Sequence, residues 1–147
     1  MIKLEYESFS AEDTLKFGQD FADKIQPGCI ICLDGDLGTG KTVFTKGLAL
    51  GLGITEPVVS PTFTVVQIYE GTKMPLYHFD VYRIDDPDEM EEIGYRDYFY
   101  GDGITIIEWS ELIAELIPED AVRITIAKNP SKGFDYRLIT VRRLNGD

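Results

Sequence analysis

Soft metal ligands are scarce in this chain. Its 147 residues include one histidine and two cysteines, where a structural zinc site takes about four such ligands. Basic residues are scarce too. Lys and Arg number 14 against 26 Asp and Glu, a net charge of −12, and a surface that grips nucleic acid non-specifically needs the opposite sign. No apolar run approaches the ~18 residues of a membrane span. Residues 1 to 9 hold no charged segment followed by an apolar one, so no secretory leader is expected and a cytoplasmic location is. Repeats, low-complexity tracts and linkers are missing. What remains is ordinary for one globular domain spanning 1–147. With 44% hydrophobic and 27% charged residues, disorder and collagen-like repeats are ruled out. A chain this long buries roughly 70% of its unfolded surface, enough for a full core.

Strand and helix patterns alternate along the chain. Residues 2 to 8 alternate apolar and polar and read as a strand. Ser10, three residues before Asp13, predicts a helix start. That helix should run to about Ile25, with Leu15, Phe21, Ala22 and Ile25 inward, and end at Pro27-Gly28. Residues 29 to 34 form an apolar strand that runs into Gly35, and a helix from Lys41 to Leu52 is stopped by Gly53. Phe63 to Glu70 and Leu76 to Arg83 are strand-like, and Gly71 and Pro75 between them suggest an antiparallel hairpin. Pro87 can open a short acidic helix over 88–93. Gly103 to Glu108 is a strand and Ser110 to Leu116 a short helix closed by Pro118. Val122 to Ala127 and Tyr136 to Arg142 are the last two strands. This order predicts a three-layer α/β domain around a mixed sheet.

Cys29 and Cys32 are spaced as a redox or metal motif. They also lie in a strand, where residues three apart face opposite sides, so their sulfurs are not expected to meet. Charge is unevenly spread. Residues 80 to 102 set nine acids against Arg83 and Arg96, and residues 121 to 143 set six bases against Asp135. Either stretch can be a solvated face or a docking surface.

The chemistry concentrates in Gly35-Asp36-Leu37-Gly38-Thr39-Gly40-Lys41-Thr42, which matches G-x-x-x-x-G-K-[ST]. It follows an apolar strand and opens a helix, as a phosphate-binding P-loop requires. Glycines let the backbone curl so that amide N–H groups point inward. The helix start adds the positive end of its dipole. Lys41 should reach the β- and γ-phosphates, and Thr42 should offer its hydroxyl to Mg²⁺. Such proteins also place a carboxylate near the metal, at the end of an apolar strand. Asp80 and Glu108 both end such runs, and each can be a metal ligand, a water-orienting group or a salt-bridge partner. Ser60-Pro61-Thr62-Phe63 lies where a nucleotide-sensing switch would sit. Trp109, next to Glu108, could cover a base or a partner, or pack in the core. His78, within a strand, reads as a packed histidine. No N-K-x-D guanine motif is present, since Ala127-Lys128-Asn129-Pro130 lacks the aspartate, and adenine is favoured. No arginine-rich lid of the kind small-molecule kinases carry is present.

The loop, then Ser60-Pro61-Thr62-Phe63-Thr64, then Tyr77-His78-Phe79-Asp80-Val81-Tyr82-Arg83, then Glu91-Glu92-Ile93-Gly94 with Asp97-Tyr98-Phe99, then Ile107-Glu108-Trp109 together resemble the ordered motifs of the TsaE family. The resemblance runs from about Thr14 to Arg137. These are small bacterial P-loop ATPases of tRNA threonylcarbamoyladenosine synthesis. The resemblance implies ATP and Mg²⁺ as cofactors. It implies TsaB and TsaD as partners, which threonylcarbamoylate adenosine 37 of tRNAs reading ANN codons, with hydrolysis resetting that complex between cycles. It implies that Leu37, Gly38, Thr39, Gly40, Lys41 and Thr42 hold the phosphates, that Thr42 and Glu108 ligate Mg²⁺, and that Asp80 is a catalytic or metal-water carboxylate. Thr62 would belong to the first switch and Trp109 would lie near the nucleotide. Ala11 and Lys132 would flank the adenine. Many relatives carry alanine at the position of Thr39, and a small side chain there should leave the cradle intact. A protein of this charge can act on partners that touch tRNA without touching it, and the acidic stretch over 85–97 becomes a candidate docking or switch surface. A small-molecule kinase and a nucleotide-gated binding module remain the competing functions.

Overall fold

The computed structural model describes residues 2–36, 38–59, 61 and 64–143. Its strands are β1 (Ile2–Ser8), β2 (Ile30–Asp34), β3 (Val66–Tyr69), β4 (Leu76–Asp80), β5 (Ile104–Glu108), β6 (Val122–Lys128) and β7 (Arg137–Arg143). Its α-helices are α1 (Ala11–Phe21), α2 (Lys41–Gly51), α3 (Glu89–Ile93) and α4 (Tyr95–Phe99). The strands form one sheet in the order β1-β7-β6-β2-β5-β4-β3. The central β6, β2, β5 and β4 are mutually parallel, while β1, β7 and β3 join antiparallel. The fold is therefore α/β with a mixed sheet covered on two faces, as the sequence predicts.

Burial follows the period of the strands. In β2, Ile31 and Leu33 join the cluster beneath α1 and α2, and Ile30 and Cys32 join the cluster beneath α3 and α4. A strand buried on both faces reads as a continuous apolar run. The same alternation separates the cysteines: Cys29 packs against the first cluster and Cys32 lies in the second, both as free thiols. Burial pushes the Cys29 thiol up to about 11 and raises Cys32 as well, so neither is a nucleophile near neutrality.

The caps act as the sequence suggests. Ser10 Oγ accepts from Asp13 N–H at 3.0 Å, an N-cap that starts α1, and Asp13 Oδ2 accepts from the N–H of Phe9, the residue before the cap, at 3.0 Å. The α-helix ends at Phe21 and continues as a 3-10 turn over 22–24. Its inward face is Thr14, Gly18 and Phe21 with Phe17 against the core; Leu15 is only half-buried. Helices α1 and α2 touch backbone to backbone. A Cβ on Gly18 would sit 2.5 Å from Phe44 O, one on Gly51 would sit 2.5 Å from Gln19 O, and one on Gly47 would fall inside the Leu15 carbonyl.

Three departures have local causes. The β3–β4 hairpin is present but shorter than the alternation predicts. Val65 takes φ 67, which breaks extended backbone ahead of β3, and Phe63 lies outside the described residues. Beyond β4, Asp80 Oδ1 accepts from Tyr82 N–H at 3.0 Å and turns the chain. A second short helix, α4, follows α3 after Gly94, whose φ of 78 reverses the backbone between them. It buries Tyr95 and Phe99 edge to face, with ring centroids 5.0 Å apart. The segment 110–116 is a 3-10 helix kinked at Ile113.

Candidate functional site

A cleft of about 1160 Å³ opens at the carboxyl ends of the parallel strands. The topology puts it there. The chain leaves β2 for α2 on one face of the sheet, and leaves the neighbouring β5 for the 110–116 segment, whose Ile113 packs on the other face. Connections that diverge from adjacent strand ends create a crevice between them.

The loop between β2 and α2 forms one wall. Gly38 and Gly40 have φ of 79 and 105, values that L side chains resist. A Cβ on Gly35 would sit 2.6 Å from Thr39 Oγ1 and 2.8 Å from Ile126 O, so that glycine permits a close approach to β6. Thr39 turns inward and is buried; its hydroxyl and its N–H both donate to Asp36 O, at 2.8 and 3.2 Å. The loop is thus closed from inside by the Thr39 side chain. At the helix start, Phe44 N–H donates to Gly40 O at 3.0 Å. The amides ahead of it have no helical acceptor, and Lys41 and Thr42, which carry two of them, line the cleft at the positive end of the helix dipole.

The ends of β4 and β5 supply the opposite wall. Lys41 Nζ lies 3.5 Å from Glu108 Oε1, and Glu108 Oε2 lies 2.9 Å from His78 Nε2. His78 is buried, and its Nδ1 has no hydrogen-bond partner among the described residues. A proton on Nδ1 would leave a buried donor unsatisfied, so the network assigns the tautomer with Nε2–H donating to Glu108. Burial works against charge on Glu108, but the His78 imidazole and the Lys41 ammonium outweigh it and hold its carboxyl below the ordinary glutamate value. Asp80 stands directly across from Glu108 in the β4–β5 register. Trp109 leaves β5 with φ 65. Its ring centroid is 5.8 Å from Lys41 Nζ, and its indole pairs with Tyr82 at 4.8 Å. Among the described residues, Val65 and Trp109 are the positive-φ residues other than glycine. Each costs on the order of 1–3 kcal/mol, and both adjoin this wall: Val65 O accepts from Asp80 N–H at 2.8 Å.

Of the residues singled out from the sequence, Gly38, Gly40, Lys41, Thr42, Asp80, Glu108 and Trp109 line this one cleft. Leu37 and Thr62 lie outside the described residues. Ala11 and Lys132 do not line the cleft but border a neighbouring aromatic patch. Lys132 Nζ pairs with Glu7 at 3.2 Å and stands 5.2 Å over the Tyr136 ring, which packs on Phe9 two residues before Ala11. The sequence reading missed Asp34, Glu111, Arg123 and Lys128, which also line the cleft. Arg123 Nη1 lies 3.4 Å from Asp34 Oδ2, while burial raises the Asp34 pKa above the ordinary aspartate value. Nothing local in the sequence joins these two, since β6 meets β2 only in the sheet. His78 is packed, as expected, but it also fixes Glu108.

The Glu108 arrangement has a pH signature. A carboxylate held below its unfolded value contributes stability that is full above that value and is lost as pH falls through the folded one. In the ligand-free chain, the stability gap between wild type and Glu108→Gln is expected to be constant near neutrality and to shrink below about pH 4.5, the ordinary glutamate value. Urea unfolding from pH 7 to pH 3 measures it; a gap independent of pH would remove the ion pair as its source.

Fold and loop define an α/β protein with a mixed seven-stranded sheet and a glycine-rich loop between β2 and α2. The family model described as "Threonylcarbamoyl adenosine biosynthesis protein TsaE" matches residues 8–137. The tRNA threonylcarbamoyladenosine biosynthesis protein TsaE of Bacillus subtilis is 44% identical over 140 residues, 95% of this chain and 85% of that protein. Its counterpart from Treponema pallidum is 44% identical over 119 residues, 81% of this chain and 87% of that protein. The crystal structure of Bacillus subtilis YdiB superposes with a TM-score of 0.82 at 38% identity, covering 98% of this chain and 87% of that one. The chain belongs to the TsaE family and so to tRNA threonylcarbamoyladenosine biosynthesis. Among the described residues no helix is long and apolar enough to cross a membrane.

Proposed function

We propose that the chain is a Mg²⁺-dependent ATPase that acts with TsaB and TsaD in modifying adenosine 37 of ANN-decoding tRNAs, hydrolysis resetting the complex between cycles. The observation that carries this reading is that Lys41, at the start of α2, pairs with Glu108, which stands beside Asp80 at the ends of the adjacent strands β5 and β4, all three lining one cleft with the glycine loop. A cation, a ring of amides and two carboxylates around one cleft are the parts that phosphoryl transfer to water needs.

The donors also suit the metal. Among the described residues no three His, Cys, Asp or Glu side chains converge as a metal cage. Mg²⁺ does not need one, because it keeps several waters and takes one or two protein oxygens beside substrate phosphates. Thr42, Glu108 and Asp80 offer hard oxygen atoms on the cleft wall. When bound, the metal would neutralise charge on the phosphates.

The chain's own residues do the rest. In the ligand-free state Glu108 holds the Lys41 ammonium at 3.5 Å. Phosphate in the loop would compete for that ammonium and free Glu108 Oε1, which together with Thr42 would be able to hold a metal. His78 keeps the other Glu108 oxygen fixed while this happens. Asp80, steadied by the Tyr82 N–H, would orient the attacking water or a water held by the metal. Trp109 lines the cleft and pairs with Tyr82 beside it, within reach of a bound nucleotide. Adenine is the expected base, and Ala11 and Lys132 its expected flanks.

The test is steady-state ATP hydrolysis by the purified chain, alone and with TsaB plus TsaD. Slow turnover alone that rises at least severalfold in the complex is expected. Turnover unaffected by the partners would leave an ATPase without the proposed gating. Phosphate transferred to a small acceptor instead of water would make the protein a kinase.

A further inference from the structure

Arg137 lies outside the cleft yet grips the loop that walls it. We propose that Arg137 is a positioning residue whose guanidinium sets the peptide orientation of the phosphate loop from behind. The inference rests on reading the cleft as an ATP site. Arg137 opens β7 and is held in register on both sides, against Ser8 of β1 and Lys128 of β6. Its Nε donates to Thr39 O at 2.8 Å and its Nη2 to Gly38 O at 3.3 Å; its Nη1 donates to Phe134 O at 3.0 Å and to Tyr136 O at 2.7 Å. A fork of rigid donors thus ties two loop carbonyls to the end of the sheet.

The consequence follows from peptide geometry. In a trans peptide the C=O and N–H point in opposite directions. With Gly38 C=O held by Arg137, Thr39 N–H points the other way and closes the turn on Asp36 O. With Thr39 C=O held by Arg137, Gly40 N–H points away from Arg137. Gly40 lines the cleft and Arg137 does not, so that N–H is aimed at the space where a phosphate oxygen sits. The Thr39–Gly40 peptide needs such a hold. Gly40 adopts either sign of φ at little cost, so nothing in the loop itself prevents the peptide from flipping and presenting its carbonyl oxygen to an anion.

Calorimetric titration of wild type, Arg137→Ala and Arg137→Lys with ADP and with inorganic tripolyphosphate, well below their melting temperatures, tests this. Arg137→Ala is expected to weaken both probes at least tenfold. Arg137→Lys, with no planar fork, should weaken them at least threefold. Guanidinium ion at low millimolar concentration should restore part of the Arg137→Ala loss. A merely structural role would lower the melting temperature and leave both affinities of the folded protein unchanged. A cooperatively melting Arg137→Ala that binds both probes within twofold of wild type overturns the proposal. If that variant does not fold, Arg137→Lys decides in the same way. A wild-type chain that binds neither probe overturns the ATP reading itself, and the inference with it.

Discussion

Lys41→Ala is expected to remove ATP turnover, by a factor on the order of a hundred to a thousand or more. The magnitude comes from the loss of a fixed positive charge where negative charge is redistributed on the transferring phosphoryl group. Lys128, the other lysine on the cleft wall, stands beside Gly38 and not against Glu108. Arg123 is engaged with Asp34, and Arg137 is turned to the back of the loop. The substitution also leaves Glu108 with His78 alone, a mostly buried carboxylate with one partner fewer, so some stability is lost as well. Phosphate release at saturating ATP separates the two effects when it is read beside a melting curve. A folded Lys41→Ala protein that keeps more than a tenth of wild-type turnover would refute the assigned role. Asp80→Ala adds a second reading: hydrolysis lost with partner action retained would favour a nucleotide-gated binding module.

The second large effect is on the fold. Gly47→Ala is expected to destabilise the protein by about 3 kcal/mol or more. Helix propensity alone predicts a gain of about 1 kcal/mol, because alanine is the better helix former. Packing reverses the sign. The new Cβ falls inside the Leu15 carbonyl of α1, and further backbone, Gln19 N, lies 3.2 Å away. Backbone cannot step aside as a flexible side chain can, so α1 must lift off α2 and open the cluster around Phe17, Phe21 and Phe44. Overpacking of a tight core costs about 1–3 kcal/mol even where some relaxation is possible. Lys46→Ala, on the exposed neighbour, should shift stability by no more than about 0.5 kcal/mol. Urea unfolding of both variants tests the contrast, and a Gly47→Ala loss under about 1 kcal/mol would refute backbone contact between the helices. The effect reaches the site, because α2 carries Lys41 and Thr42 at its first turn.

These two predictions differ in how far the sequence alone could have carried them. The role of Lys41 is local. The signs of φ at Gly38 and Gly40 and the start of α2 are set within a few residues, so the loop could be read directly. The role of Gly47 depends on which element lies opposite, and the same glycine on an exposed helix would merely weaken it. Asp80 and Glu108 could be read as candidates because each ends an apolar run, but their pairing across one register required the order of strands. Within the acidic stretch the helix expected over 88–93 is present as α3, but no local pattern announces α4: Gly94 reverses the backbone and the aromatic rings of α4 then find β4 and one another. In that stretch Glu91 is also paired, with Arg96 at 2.8 Å.

By itself the sequence determined the class of fold, the glycine-rich loop and seven of the residues that line the cleft, and its ordered motifs carried the resemblance to the family. The fold and the loop rest on short-range rules: strand and helix periods, glycine conformations, and the cap at Ser10. The tertiary structure decided what those side chains do to one another. It paired His78 with Glu108 across 30 residues, Arg123 with Asp34 across 89, and Arg137 with the loop carbonyl of Thr39 across 98. It also left Lys132 beside Glu7 and Tyr136 rather than in the cleft. The physical reason is the same in each case. A hydrogen bond or an ion pair depends on distances of a few ångströms, and between distant residues those are fixed only when the sheet brings its strands into register.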